Sequence, residues 1–264
     1  MSVSIARAEP GWFRRSALPS SSHRLFCFPY AGGSASLYRN WHDWLAPGIE
    51  VVAVELPGRG MHIGEPALDR MDVLVERLLT AMRPLLDRPF SLFGHSMGAL
   101  IAFEASRQLA AIGGPEPQHL IVSGMGAPHL LHLQTGAPIH DLPDAEFMEA
   151  LRTLNGTPPE VLANEGLVDC FLGMLRADFR VGETYRCDQI VRLRHPITAF
   201  GGVHDECFCR DDLEAWRHHT SERCIVRWLP GNHFFIREHE HQIAAALAAL
   251  ATATPDPDRD VAVA

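Results

Sequence analysis

Short apolar runs alternate with amphipathic segments along most of the chain. Segments 37–45, 69–86, 97–112, 213–218 and 236–251 repeat apolar residues at helical spacing. The intervening runs are mostly apolar at consecutive positions, which is typical of strands buried on both faces. These runs lie at 24–29, 50–56, 90–93, 119–123, 196–200 and 223–229. The alternation predicts an α/β fold with a mostly parallel central sheet flanked by helices.

The alternation of strands and helices is interrupted between residues 129 and 190, where no strand-like run occurs. Helical patterns replace it at 143–154, 158–162 and 166–179. An insertion at the carboxyl edge of parallel strands covers the usual site of function, so we predict an inserted helical lid over 129–190. The core of this single domain would then comprise about 20–128 and 191–252. The alternative is that these helices pack into the core, since both kinds of helix need an apolar face.

Composition and charge place the chain among ordinary globular proteins and exclude some functions. Hydrophobic residues make up 47% of the 264 positions and charged residues 21%. A net charge of -9 argues against nucleic-acid binding, which needs a basic face. The first residues lack the apolar stretch of a signal peptide, and no apolar run is long enough to cross a membrane. The six cysteines have no framework spacing. We therefore expect a cytoplasmic protein with reduced cysteines and no membrane association.

The segment from Phe90 to Glu104 contains the clearest candidate for chemistry. An apolar strand ends at Gly94, a helical pattern begins at Met97, and the intervening residues read G-H-S-M-G. This is the G-x-S-x-G nucleophile elbow in its expected context of strand, turn and helix. Glycine is needed because a Cβ at either position would collide with a neighbouring element. The pattern predicts Ser96 as a nucleophile; otherwise Ser96 is incidental in a plain strand–helix turn.

A serine nucleophile needs a base, and the base needs a carboxylate to orient it. In this architecture the acid and then the histidine follow the serine, each in a loop after a strand. Of the fifteen histidines, only His233 lies in the loop after the last predicted strand. Asp205 lies in the loop after the preceding strand, and Glu206 beside it is the rival acid. We predict Asp205 and His233 as partners of Ser96; their alternatives are a turn aspartate and a surface histidine.

Two backbone N–H groups are expected to stabilise the oxyanion, one after the nucleophile and one in the loop after the first of these strands. These belong to Met97 and Ala31. Gly32 and Gly33 allow that loop to approach a substrate closely. A phosphate-binding loop is disfavoured, because the segment lacks the lysine of a P-loop and the G-x-G-x-x-G spacing. His204, Cys207 and Cys209 match no zinc spacing, so we predict no metal.

Four separated motifs resemble the type II thioesterases, which are stand-alone α/β-hydrolases that accompany polyketide synthases and nonribosomal peptide synthetases. They are FPYAGGSA at 28–35, ELPGRG at 55–60, GHSMGA at 94–99 and LPGNHFF at 229–235. The resemblance extends from about residue 12 to residue 250. It implies hydrolysis of stalled or wrongly primed acyl units from the phosphopantetheine arm of acyl or peptidyl carrier domains. It also implies Ser96 as nucleophile, Asp205 as acid, His233 as base, and Ala31 and Met97 as oxyanion donors.

The chain departs from that family at two positions. Glu206 stands where a proline usually follows the aspartate, which leaves the choice between Asp205 and Glu206 open, and His62 stands where arginine is common. We expect a monomer that needs no cofactor of its own, since the substrate brings the phosphopantetheine. A general carboxylesterase or lipase with the same triad, and a non-catalytic binding module of the same fold, are the alternative functions.

Overall fold

A seven-stranded sheet forms the centre of the molecule, in the order β1-β3-β2-β4-β5-β6-β7. The computed structural model describes residues 11–15, 20–45, 48–133, 137–154, 156 and 165–252. All neighbouring strands are parallel except β1, which pairs antiparallel with β3. The strands are β1 (Phe13–Arg15), β2 (His23–Phe28), β3 (Ile49–Val54), β4 (Phe90–His95), β5 (Leu120–Ser123), β6 (Ile197–Gly202) and β7 (Cys224–Leu229).

Helices cover both faces of this sheet. They are α1 (Trp41–Trp44), α2 (Met71–Met82), α3 (Met97–Ala111), α4 (Asp144–Leu154), α5 (Glu165–Thr184), α6 (Arg210–Glu214) and α7 (Glu240–Thr252). Short 3-10 turns precede α1 at Ala35–Tyr38 and follow α6 at Ala215–His219. The predicted α/β fold, with a mostly parallel sheet between helices, is confirmed.

The side chains of each strand alternate between two cores, because successive residues of a strand point to opposite faces. Phe26 and Phe28 of β2 belong to the core that includes α2 and α3. Leu25 and Cys27 of the same strand belong to the core that includes α1 and α7. Every residue of β2 is buried, which explains why Leu25 to Phe28 are apolar at consecutive positions.

The helices α4 and α5 lie in the predicted insertion. Phe147 and Leu151 of α4 form a small separate cluster with Met174 and Leu175 of α5. Farther along α5, Val181 joins the main core against α3. The insertion therefore combines a cluster of its own with an attachment to the core, and its boundaries at 129 and 190 stay a prediction. The helix predicted at 158–162 lies outside the described residues.

Two local features differ from the predictions. A short edge strand, β1, precedes the first predicted strand, and the pattern did not indicate it because only three residues pair with β3. Its Arg15 forms an ion pair with the buried Glu50 at 2.5 Å. The helix expected over 236–251 begins as α7 at Glu240, after a 3-10 turn at Phe235–Arg237. Among the described residues, no helix is long and apolar enough to cross a bilayer.

Six histidines are buried in the described part of the chain. For His62, burial lowers the pKa, but hydrogen bonding to Glu65 outweighs this effect and raises it. The other five share one effect. His23, His95, His119, His195 and His219 are each less than a tenth exposed. Burial disfavours the charged imidazolium and lowers the pKa of all five histidines. For His119, His195 and His219 it lowers the pKa to about 4. The fold therefore keeps these rings neutral at neutral pH.

We predict that the free energy of unfolding falls as the pH drops from about 6.5 toward 4. In that window the histidines of the unfolded chain bind protons, whereas the buried histidines of the folded protein stay neutral. The free energy of unfolding therefore rises with pH. Each such group contributes a slope of up to about 1.4 kcal/mol per pH unit. Urea denaturation at several pH values measures the slope.

The variant His195→Gln should reduce the slope of the unfolding free energy against pH by the contribution of one histidine. His42→Gln is the matched control, because the His42 side chain is 47% exposed. Equal slopes in the wild-type protein and His195→Gln would contradict the prediction.

Candidate active site

Ser96 occupies a strained turn between β4 and α3. Its φ of 53° and ψ of -122° make it the sole non-glycine residue with positive φ in the described part of the chain. A Cβ on Gly94 would lie 2.0 Å from the carbonyl oxygen of Gly98, and a Cβ on Gly98 would lie 2.2 Å from that of Phe28. Backbone atoms cannot move aside as a flexible side chain can. Both glycines of the elbow are therefore required by the packing of α3 against β4 and β2.

The structure brings Ser96, His233 and Asp205 into one hydrogen-bonded row. The Nε2 of His233 lies 2.9 Å from the Oγ of Ser96. The Nδ1 of His233 lies 2.9 Å from the Oδ2 of Asp205. With the Nδ1–H donated to the carboxylate, the Nε2 lone pair faces the serine hydroxyl. This is the arrangement in which an imidazole can take the proton of a serine nucleophile.

Asp205, and not its neighbour Glu206, lies against the histidine. The Asp205 side chain is 3% exposed, whereas Glu206 is exposed to solvent. The backbone N–H of Cys207 donates to the Oδ1 of Asp205 at 2.9 Å, which leaves Oδ2 for His233. The turn after β6, closed by a hydrogen bond from Asp205 N to Gly202 O at 3.1 Å, determines which carboxylate points inward. The geometry thus distinguishes two adjacent acids that the sequence left as rivals.

The surroundings of His233 alter its proton affinity. Burial alone would lower the pKa of His233, but hydrogen bonding to Asp205 and Cys207 and their charges outweigh it and raise the pKa to about 9. Neighbouring His95 is fully buried, with its Nδ1 2.9 Å from the Ser123 Oγ and its ring 5.4 Å from that of His233. Burial first, and then the positive charge of His233, lower the pKa of His95. His95 is thus a neutral ring packed beneath the base.

The two predicted oxyanion donors line the same cavity as Ser96. Within the described residues, neither the Ala31 N–H nor the Met97 N–H donates a hydrogen bond to another group. Met97 is the first residue of α3, so its N–H has no partner inside the helix. The next residue after Ala31, Gly32, donates its N–H to the Oδ2 of Asp178 at 2.7 Å. Two unpaired N–H groups beside a serine hydroxyl are what a developing oxyanion requires.

A cavity of about 690 Å³ adjoins Ser96 and is lined by residues of the core and of the insertion. The lining combines apolar and polar side chains. The apolar set includes Met97, Leu100, Met125, Leu175, Phe179, Phe208 and Phe234, and the polar set includes His132, His140, Asp141, Glu183 and Arg186. The cavity has the size and mixed lining of a site for a small molecule.

Three residues near the site received no role in the hydrolytic site from the sequence: Arg59, Asp178 and Cys207. In the described residues, the one group of three metal-ligand types within 4.8 Å of one another is Asp205, Cys207 and His233. This set differs from the His204, Cys207 and Cys209 combination considered from the sequence. Asp205 and His233 are already hydrogen-bonded to each other, so a metal would compete with the row itself. The absence of a required metal stays a prediction.

Comparison with known proteins agrees with the motifs. Residues 23–250 match the thioesterase domain family. The chain is 44% identical over 219 residues to the linear gramicidin dehydrogenase LgrE of Brevibacillus parabrevis, and the matched region covers 82% of each protein. It is 35% identical over 232 residues to thioesterase PikA5 of Streptomyces venezuelae, covering 86% of this chain and 80% of PikA5.

A solved structure shares the same architecture. The type II thioesterase BorB from the borrelidin biosynthetic cluster superposes with a TM-score of 0.82 at 37% identity, covering 90% of this chain and 97% of BorB. The family match spans most of the chain, including the strands and loops that hold Ser96, Asp205 and His233. The chain therefore belongs to the thioesterase family and is a thioester hydrolase of the α/β-hydrolase fold.

Proposed function

We propose that the protein hydrolyses acyl thioesters from the phosphopantetheine arms of carrier domains, and so releases stalled or wrongly primed acyl units in polyketide or nonribosomal peptide synthesis. The observation that supports this most directly is the row from Ser96 through His233 to Asp205 beside a cavity of about 690 Å³. The relatives in gramicidin and borrelidin biosynthesis support the carrier-bound substrate. A cytoplasmic location, a monomeric state and the lack of a cofactor stay predictions.

In the proposed mechanism, His233 accepts the Ser96 proton while the Ser96 oxygen attacks the thioester carbonyl. The N–H groups of Ala31 and Met97 stabilise the oxyanion of the tetrahedral intermediate. The intermediate collapses as His233 returns the proton to the departing pantetheine sulfur, which leaves an acyl ester on Ser96. The same imidazole then takes a proton from water as the water oxygen attacks this ester. When the second tetrahedral intermediate collapses, the imidazolium returns the proton to the Ser96 oxygen and the carboxylic acid is released.

The cavity suits a substrate with two different ends. Apolar residues of the lining, such as Leu175 and Phe179, can bury an acyl chain, and the buried area favours binding. Polar residues of the lining, such as Arg186, offer hydrogen-bond donors for the amides of a pantetheine arm. Binding energy from the carrier-linked arm can then lower the barrier at the distant carbonyl. This favours a carrier thioesterase over a general esterase.

We predict that kcat/KM for an acyl group on a carrier domain exceeds that for the p-nitrophenyl ester of the same acyl group by about 100-fold, which is ~2.7 kcal/mol of transition-state binding. Steady-state kinetics with both substrates measures the ratio. Ser96→Ala should lose about 10⁴-fold or more of either activity.

Intact mass spectrometry after mixing with a panel of acylated carrier domains should detect the acyl group on the wild-type enzyme and not on Ser96→Ala. Equal kcat/KM values for the ester and the carrier thioester would instead support a general esterase. Full activity of Ser96→Ala would remove the nucleophile from the mechanism.

The raised pKa of His233 gives a second prediction. The base acts only when its imidazole is neutral. Because the pKa of His233 is about 9, kcat/KM should be low where the imidazolium predominates and should rise with pH until it levels off above about 9. Cys207→Ala removes one contact that raises this pKa, so the rising limb should move to lower pH.

Cys209→Ala is the matched control, because Cys209 is also an exposed thiol of the same loop but does not contribute to the pKa of His233. The pH dependence of kcat/KM for an acyl thioester of N-acetylcysteamine measures both variants. If kcat/KM rises at the same pH in the wild-type protein and in Cys207→Ala, the assigned role of Cys207 is contradicted.

A further inference from the structure

A buried ion pair lies between the loop after β3 and the helix α5. The Nη1 of Arg59 lies 2.7 Å from the Oδ2 of Asp178, and its Nη2 lies 2.6 Å from the Oδ1. The side chains are 4% and 1% exposed. This bidentate geometry fixes both the position and the plane of the carboxylate. The two residues are 119 positions apart, so the pair joins the core of the sheet to the insertion.

The same two side chains also hold the loop that supplies the first predicted oxyanion donor. The Oδ2 of Asp178 accepts the N–H of Gly32 at 2.7 Å. The Nη1 of Arg59 donates to the carbonyl oxygen of Gly33 at 2.9 Å. Gly32 has a φ of +77°, a left-handed conformation that glycine adopts without steric penalty. The Ala31–Gly32 and Gly33–Ser34 peptide groups are thereby both held by one ion pair.

Direct packing connects α5 to this loop as well. A Cβ on Gly32 would lie 2.6 Å from the Cδ2 of Leu175, which is nearly one helical turn before Asp178. The loop therefore approaches α5 as closely as a glycine permits. Ala31, Leu175 and Asp178 all line the cavity that contains Ser96. A displacement of α5 would remove both the packing and the hydrogen bond from the loop.

Stability alone does not explain this ion pair. Removing two charges from water costs several kcal/mol for each ion, so a buried pair often contributes little compared with apolar side chains of the same volume. What an apolar pair could not do is accept the Gly32 N–H and donate to the Gly33 carbonyl. The charged side chains of Arg59 and Asp178 are therefore needed for their hydrogen bonds to the loop.

We propose that Asp178 is a positioning residue for hydrolysis: together with Arg59 it orients the Gly32 peptide and so directs the preceding Ala31 N–H at the oxyanion. Because Asp178 belongs to α5, the oxyanion site is complete only when this helix is packed against the loop. The proposal rests on the proposed function only through the oxyanion role of Ala31.

The variant Asp178→Asn tests the proposal, because it keeps the volume and removes the charge that pairs with Arg59. With an acyl thioester of N-acetylcysteamine, kcat should fall by about 100-fold, the cost of a misplaced oxyanion donor, while KM changes less than about threefold. The inhibition constant of a trifluoromethyl ketone, which forms an oxyanion on Ser96, should rise by the same factor. The inhibition constant of the product acid should not change.

Hydrogen exchange of the Gly32 amide provides a readout that needs no substrate. The amide should be protected in the wild-type protein and should exchange faster in Asp178→Asn, because its acceptor is then weakened. If thioester hydrolysis proves not to be the activity of this protein, this measurement still tests the positioning contact. Unchanged protection together with a kcat within twofold of wild type would overturn the proposal.

Glu50→Gln is the matched control for the loss of a buried ion pair. Glu50 and Arg24 form a similarly buried pair, at 2.8 Å, near the amino ends of β3 and β2, at the opposite edge of the sheet from Ser96. This variant should lower the melting temperature without changing kcat. Should Asp178→Asn fail to fold, Arg59→Lys keeps the positive charge and loses the bidentate contact. A kcat for Arg59→Lys equal to that of wild type would then overturn the proposal.

Discussion

The close packing of α3 against β4 and β2 is the constraint on which the site depends. At the elbow the chain must reverse direction within a few residues, so Gly94 faces the backbone of Gly98, and Gly98 faces that of Phe28. Only the absence of both side chains allows this approach. The turn leaves Ser96 with a positive φ, an unfavourable conformation that persists because the elements on either side are buried. The serine hydroxyl is therefore presented at the sheet edge by the core, not by a flexible loop.

The remaining members of the row are placed by the pairing of β6 with β7. Their register aligns Gly202 with Leu229, and the two loops that follow continue to pair through His204 N and Gly231 O at 3.0 Å. A Cβ on Gly202 would lie 2.6 Å from the carbonyl oxygen of Asn232, so this glycine admits the loop that contains His233. Because both strands are parallel to β4, their loops emerge at the same edge as Ser96. Strand register thus sets the distance between acid and base.

The sequence predicted those parts of the molecule that depend on local pattern. Continuous apolar runs indicated the parallel strands, and the position of Ser96 and His233 after particular strands indicated their meeting at one edge. The sequence favoured Asp205 but left Glu206 as its rival, because the outcome depends on a turn that directs one of two adjacent side chains inward. The strand β1 was missed because a three-residue edge strand has no periodicity to detect.

Arg59 and Asp178 illustrate a different limit. A charged residue in an amphipathic helix ordinarily belongs to the solvated face, and Asp178 has no local feature that distinguishes it from such a residue. Its burial depends on a partner 119 positions away, in a loop whose path is fixed by the rest of the sheet. Contacts of this kind are a property of the assembled fold. Sequence analysis of a single chain has no signal from which to infer them.

The charge of this pair is consistent with its position beside the oxyanion loop. A lone carboxylate next to the peptide that follows Ala31 would oppose the negative charge that forms during hydrolysis, and the low dielectric of a buried site would strengthen the repulsion. The positive charge of Arg59 offsets the negative charge of Asp178, since its Nη1 and Nη2 contact both carboxylate oxygens. The loop is therefore held by strong, charge-assisted hydrogen bonds, while the site receives almost no net negative field from them. This requirement explains why the loop is anchored by a neutral pair of ions and not by an acid alone.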